Sequence, residues 1–126
     1  MCLVHDFGEA VTGDIPAFLK TDEDEKKEEK AIESLLRALP EAQKTELSEL
    51  FSEMSALKTD EAKLFKALDN LEAVLSHNEA DISTWIEREY EENLIYGAEN
   101  AAWSEWTKLL RQQLKTDSLK KLNQKE

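Results

Sequence analysis

The chain has 126 residues, of which 16 are basic and 28 are acidic, so its formal net charge is −12. This length fits one small domain. The acidic balance excludes a protein that binds polymeric nucleic acid or an anionic membrane surface, since both need clustered Lys and Arg. We expect a soluble, cytoplasmic protein, because no apolar stretch approaches the ~20 residues of a membrane span, Asp6 stands where a signal peptide is basic, and the lone Cys2 allows no internal disulfide.

The first predicted element, at the N-terminus, combines polar side chains with apolar neighbours. On a helix, His5, Asp6 and Glu9 turn toward a common side, because they are spaced by three and four residues. An imidazole and two carboxylates form a partial shell for a divalent cation, with one carboxylate left over as a base. A salt-bridged pair on an exposed helix edge explains the same pattern, and the pattern alone leaves both interpretations open.

The next segments indicate helices separated by polar breaks. Residues 21–30 hold six acidic and three basic side chains and no large apolar one, which predicts a solvated loop that leads into a helix. Apolar residues then recur at helical intervals over 32–39 and 47–57. A third helix is predicted to begin after the N-cap Thr59 and to end near His77, an ordinary helix-end residue. Its predicted inner face consists of Leu64, Leu68, Leu71 and Leu75.

Asp69 lies near the boundary of that inner face. A carboxylate in this position needs a partner, and a metal ion or another cation would serve. A fourth helix is predicted through Ile82, Trp85, Ile86 and Tyr90 up to Gly97, a suitable left-handed C-terminal residue. The fifth is predicted to pack Ala102, Trp103, Trp106, Leu109 and Leu110, and residues 115–126 are predicted to form a frayed, Lys-rich tail.

Two segments carry a family resemblance. The sequence VHDFGEAVTGDIP at residues 4–16, followed by KALD at residues 66–69, resembles the HD-domain metal-dependent phosphohydrolases and, more narrowly, their small 5′-deoxynucleotidase subfamily. The sequence YGAEN at residues 96–100, followed by Trp103, resembles them more loosely. The resemblance implies an all-α HD-domain bundle of about five to six helices over residues 1–126.

The resemblance also implies roles for individual residues. His5, Asp6 and Asp69 would be ligands of one divalent metal ion, and Mn, Co, Fe, Ni and Zn suit these donors about equally. Glu9 would be the catalytic acid/base carboxylate, and Asp14 would bind substrate near the sugar. The implied substrate is a deoxyribonucleoside monophosphate or another small phosphoester. Lys20 and Lys66 are candidates for phosphate contacts, although both also fit ordinary surface lysines.

The position of the His–Asp pair departs from the family pattern. The family's first metal histidine and a basic phosphate-binding residue lie on helices that precede this pair, which here stands at residues 5 and 6. We therefore expect a partial, N-terminally incomplete HD domain, whose apolar surface around Leu3, Val4 and Val11 favours a homodimer. The alternative is a non-catalytic helical module that binds metal or protein and self-associates. A purely structural acidic bundle would leave Glu9 and Asp69 unexplained.

Overall fold

A computed structural model describes residues 1–16 and 19–123, and the regular secondary structure in these ranges is helical throughout. The predicted all-α fold class is thereby confirmed. The chain divides into two compact units, residues 1–58 and 59–126. Within the described ranges, no helix has both the length and the apolar character needed to cross a membrane.

The first unit contains a 3-10 turn and three α-helices. The turn His5–Gly8 leads directly into α1 (Glu9–Thr12), which is followed by α2 (Asp22–Arg37) and α3 (Glu41–Ala56). Helix α2 packs on the turn and on α1, and it also contacts α3. Gly8 makes the first of these contacts possible, because a Cβ atom there would lie 2.9 Å from the backbone oxygen of Glu28.

The prediction of a solvated loop over residues 21–30 is wrong, because α2 begins at Asp22. Thr21 and Asp24 form a capping box in which each side chain accepts a hydrogen bond from the other residue's backbone N–H. Four acidic residues occupy the first turn, where they interact favourably with the positive end of the helix dipole. The high density of charged residues over 21–30 therefore belongs to the N-terminal part of a helix.

The second unit contains α4 (Asp60–Glu79), α5 (Glu89–Ile95), α6 (Ala98–Ala101) and α7 (Glu105–Asn123), with a 3-10 turn at Ile82–Thr84. Helix α4 packs on α6 and α7, and α7 also contacts α5 and α6. These contacts enclose an apolar core. Its members are Leu71, Val74, Ala101 and Leu114, with Tyr96 and Leu110 packed against them.

The start of α4 is confirmed, but its predicted inner face is rotated. Thr59 is the N-cap, and its side chain accepts a hydrogen bond from the backbone N–H of Ala62 at 3.2 Å. Leu64 and Leu75 are exposed, whereas Ala62 and Ala67 are fully buried. Small side chains allow neighbouring helices to approach closely, so alanines occupy much of the buried face, which is rotated from the one that leucine spacing suggests.

The fourth predicted helix is shorter than expected. Helix α5 begins at Glu89, and residues 82–84 form a separate turn capped by Asp81. The apolar spacing misled here because Trp85 is buried from a non-helical position, where its indole N–H donates to the backbone oxygen of His77 at 2.8 Å. Gly97 does adopt the predicted left-handed conformation, with φ 73°.

The packed face predicted for the last helix is confirmed only at Leu110, which packs against the core. Trp106 and Leu109 are 60% and 58% exposed, and α7 buries Thr107, Arg111, Leu114 and Ser118 instead. Within the predicted tail, α7 continues to Asn123, and the Nζ atom of Lys121 donates to the backbone oxygen of Asn78 at 2.8 Å. Fraying of the tail stays a prediction about its dynamics, and residues 124–126 lie outside the described ranges.

Candidate active site

His5 and Asp6 form a close pair in the 3-10 turn of the first unit. The Nδ1 atom of His5 lies 2.9 Å from the backbone oxygen of Cys2, and its Nε2 atom lies 3.0 Å from Asp6 Oδ1. A carbonyl oxygen only accepts hydrogen bonds, so Nδ1 carries a hydrogen and Nε2 faces the carboxylate. The contact at Cys2 thus fixes the imidazole with Nε2 directed at Asp6.

Two species fit between Nε2 and the carboxylate. A proton there makes the pair a salt bridge. The same two atoms would also serve as ligands of a divalent metal ion, because such ions accept imidazole nitrogens and carboxylate oxygens. A backbone carbonyl on the far ring nitrogen is the usual support of a metal-bound histidine.

Glu9 begins α1, one residue after the turn, and its side chain is only 20% exposed. Burial raises the pKa of Glu9 above its ordinary value, and the negative charges of Asp6 and Asp14 raise it further, while Lys20 acts in the opposite direction. A carboxyl group with a raised pKa exchanges protons more readily near neutral pH. The acid/base role of Glu9 stays a prediction.

Lys20 links Glu9 to α2. Its Nζ atom lies 3.6 Å from Glu9 Oε1 and 2.5 Å from Glu28 Oε2. Burial alone would lower the pKa of Lys20, but the hydrogen bond and charge of Glu28, followed by those of Glu9, raise it. Lys20 is thus held as a cation between two carboxylates, which is more specific than the surface role its sequence suggested.

Glu28 and Gly8 belong to this site, although sequence analysis missed both. Glu28 lies in the segment taken for a loop, and only the capping box at Thr21 indicated a helix that would carry it toward the N-terminal turn. Gly8 is buried against the Glu28 side chain. Its place between Asp6 and Glu9 was visible, but the close approach of α2 was not.

Asp14 and Asp69 occupy different settings. Asp14 is exposed in the extended connection after α1, and it influences Glu9 through its charge. Asp69 is half-buried on α4, in the second unit, and it accepts a hydrogen bond from the Nζ atom of Lys66 at 3.0 Å. The cationic partner expected for Asp69 is therefore present as Lys66, and its role as a metal ligand stays a prediction.

The second histidine is anchored within the second unit. His77 lies in the last turn of α4, with Nδ1 2.8 Å from Asn93 Oδ1 and Nε2 3.3 Å from Glu89 Oε1. Its ring also contacts Trp85. Among residues 1–16 and 19–123, no group of three or more His, Cys, Asp or Glu side chains has the arrangement of a metal site. The role of His5 and Asp6 as metal ligands stays a prediction.

Comparison with known proteins identifies the class to which this arrangement belongs. Residues 1–110 match the model of the family described as HD domain, and the chain therefore belongs to that family. HD domains are generally phosphohydrolases that depend on a divalent metal ion. The expected fold family is thus confirmed.

Several curated proteins with the name 5′-deoxynucleotidase are similar to this chain. The chain is 38% identical over 81 residues to 5′-deoxynucleotidase HDDC2 of Mus musculus, a match that covers 63% of this chain and 41% of the relative. The protein of the same name from Homo sapiens is 38% identical over 81 residues, covering 63% and 40%. That from Xenopus laevis is 42% identical over 77 residues, covering 60% and 38%. The chain spans about two fifths of the length of these curated relatives, and no solved structure matches it significantly.

Proposed function

We propose that this chain is a metal-dependent phosphomonoester hydrolase that releases phosphate from deoxyribonucleoside 5′-monophosphates or similar small phosphoesters. Family membership and relatives named 5′-deoxynucleotidase support this reaction class. The observation that carries the proposal is the arrangement of the first unit, where the half-buried Glu9, with its raised pKa, lies close in sequence to the His5–Asp6 pair.

The proposed metal ligands in the first unit are His5 and Asp6, and the same role is proposed for Asp69 on the resemblance to the HD-domain family alone. One imidazole nitrogen and two carboxylates suit Mn, Co, Fe, Ni or Zn in the divalent state. When bound, such an ion would neutralise phosphate charge and acidify a coordinated water. The hydrogen bond from Nδ1 of His5 to the backbone oxygen of Cys2 directs Nε2 toward Asp6, the other ligand proposed in this unit.

Glu9 is the proposed acid/base residue. Its carboxylate would accept a proton from the attacking water as the water oxygen bonds to phosphorus and the bond between phosphorus and the 5′ oxygen breaks. It would then return that proton to the departing 5′ alkoxide. The products are a deoxyribonucleoside and inorganic phosphate. Lys20 would keep the Glu9 side chain in place through the bridge to Glu28, while the exposed Asp14 would accept a hydrogen bond from a sugar hydroxyl.

We also propose that two copies of the chain associate. Leu3 and Val11 are 94% and 64% exposed in the first unit, which is a high exposure for large apolar side chains. Light scattering is expected to report a dimer. A monomer that persists at high concentration would refute this part of the proposal.

Phosphate release from deoxyribonucleoside monophosphates by the Mn²⁺- or Co²⁺-loaded chain tests the proposed activity. We expect turnover by the wild type, and a loss of about 10²- to 10⁴-fold in Glu9→Gln with its metal content retained. Glu46→Gln, an exposed carboxylate on α3, is the matched control and should keep wild-type activity. Equal activity of Glu9→Gln and Glu46→Gln, or a metal-loaded wild type without turnover, would overturn the proposal.

A further inference from the structure

The second unit contains a cleft of about 500 Å³ whose walls come from α5, α6 and α7. This volume lies within the range typical of small-molecule sites. Its apolar wall includes Leu94, Ala101 and Leu119. An inorganic ion would leave most of such a cleft empty, so its size and lining suit a molecule with an apolar body.

One face of α7 supplies positive charge to the cleft. Lys108, Arg111 and Lys115 line the cleft at intervals of three and four residues, which places them along one side of the helix. The residues that line the cleft include these three cations and no carboxylate, although the Nζ atom of Lys108 lies 3.5 Å from Oε2 of Glu105 beside the cleft. In a chain with 28 acidic and 16 basic residues, a cleft with this balance is a local exception.

Arg111 is buried without a carboxylate partner in the described part of the chain. It is 5% exposed, and its guanidinium donates from Nε to the backbone oxygen of Tyr96 at 2.7 Å and from Nη2 to that of Asn93 at 3.0 Å. Both acceptors are neutral carbonyl groups. The Nη1 atom is buried and has no hydrogen-bond partner among the described residues.

An unpaired buried charge is costly, and burial correspondingly lowers the pKa of Arg111. The two carbonyl contacts hold the guanidinium at the C-terminal end of α5, where the partial negative charge of the last carbonyl groups offsets only part of its positive charge. The exposed Lys115 adds a second positive charge one turn further along α7. A bound anion would offset both charges.

We propose that this cleft binds a small organic anion, with the anionic group beside Arg111 and Lys115 and an apolar or aromatic body against Leu94, Ala101 and Leu119. Carboxylates and phosphate monoesters share the required chemistry. The site uses residues of the second unit alone, and it is independent of the proposed metal centre.

The test is a titration of the full chain with benzoate and with phenyl phosphate, followed by amide NMR in the presence of EDTA, so that no metal-bound phosphate contributes. Benzamide serves as the neutral analogue of benzoate, and inorganic phosphate as the anion without an apolar body. We expect the amides of Ala101 and Leu119 to shift with both organic anions, and more weakly or not at all with the two controls. A stronger response to benzoate or to phenyl phosphate would identify which of the two classes the cleft prefers.

Lys115→Gln removes the exposed lysine that lines the cleft, and Lys120→Gln is its control, because Lys120 is an exposed lysine of the same helix that pairs with Asp117 and does not line the cleft. We expect Lys115→Gln to weaken benzoate binding by about five-fold and Lys120→Gln to leave it unchanged. Arg111 is avoided because its removal would also leave two backbone carbonyls unpaired. Benzamide binding as tightly as benzoate, an absence of shifts at Ala101 and Leu119, or equal effects of the two lysine variants would overturn the proposal.

Discussion

The two units of this chain differ in what is buried. In the described part of the first unit the buried residues are Gly8, Ala31, Leu36 and Met54, whereas the second unit buries a continuous core around Leu71 and Val74. The first unit instead concentrates charged side chains, namely Asp6, Glu9, Lys20 and Glu28, near its N-terminal turn. Apolar burial is the dominant stabilising term in folding. The first unit, which contains Glu9 and the His5–Asp6 pair, therefore has less of this stabilisation than the second.

This contrast locates the sensitive positions in each unit. The second unit contains a core of buried side chains, and the first contains a close backbone approach at Gly8. A change that disturbs this approach should affect the first unit selectively. The predictions below test the contrast, beginning with the largest effect.

Gly8→Ala is expected to destabilise the first unit by about 1–3 kcal/mol, the usual cost of overpacking. The added Cβ would meet both the side chain and the backbone oxygen of Glu28, so α2 would have to move. Amide hydrogen exchange should accelerate at Ala31 and Leu36 more than at Val74 and Leu114.

Gly13→Ala is the control for this substitution, because a Cβ at Gly13 meets nothing within 4 Å and only its φ of 82° is unfavourable. The control should leave the packing of α2 intact. Equal acceleration of exchange in both units by Gly8→Ala would show that the close approach at Gly8 does not specifically support the first unit.

Substitutions at two helix N-caps should cause a smaller loss of stability that is similar in the two units. Thr21 caps α2 in the first unit and Thr59 caps α4 in the second, and both side chains accept a backbone N–H. Each Thr→Ala substitution should cost about 1 kcal/mol. Urea unfolding of the two variants measures both costs. A negligible cost for Thr21→Ala would contradict the capping box that begins α2.

The smallest expected effect is a pH dependence from Glu9. A carboxyl group whose pKa is raised by folding favours the folded state below its ordinary pKa of 4.5, and this contribution is lost as the pH rises through the higher folded value. Glu9→Gln removes the dependence. The stability of this variant relative to wild type should therefore be greater at pH 7 than at pH 4.

Urea titrations at several pH values measure this difference, and Glu46→Gln, at an exposed position, should show no such trend. The opposite trend for Glu9→Gln would mean that Lys20 outweighs burial and the charges of Asp6 and Asp14.

Sequence patterns predicted local features well. Thr59 as an N-cap, Gly97 in a left-handed conformation and the all-helical class follow from short-range chemistry, and the structure confirms them. Residues 21–30 were misjudged because a high charge density is shared by loops and by helix N-termini. The threonine–aspartate spacing of the capping box was the available distinguishing signal.

The sequence patterns did not predict contacts between residues that are far apart in the chain. The bridge from Glu9 through Lys20 to Glu28 depends on how α2 packs, which periodicity does not specify. Arg111 was missed for a related reason, since a buried arginine and a surface arginine have the same local spacing. Leucine spacing likewise misplaced the buried face of α4, because the alanines on that face carry little hydrophobic signal of their own.

The central claim is that His5 and Asp6 are ligands of a divalent ion, and calorimetric titration of the chain with Mn²⁺ tests it most directly. We predict that the wild type binds one ion, that Asp6→Asn loses at least about tenfold in affinity, and that His77→Gln, which removes the other histidine, binds as the wild type does. An ion bound equally well by Asp6→Asn, or an affinity lost in His77→Gln, would contradict the claim.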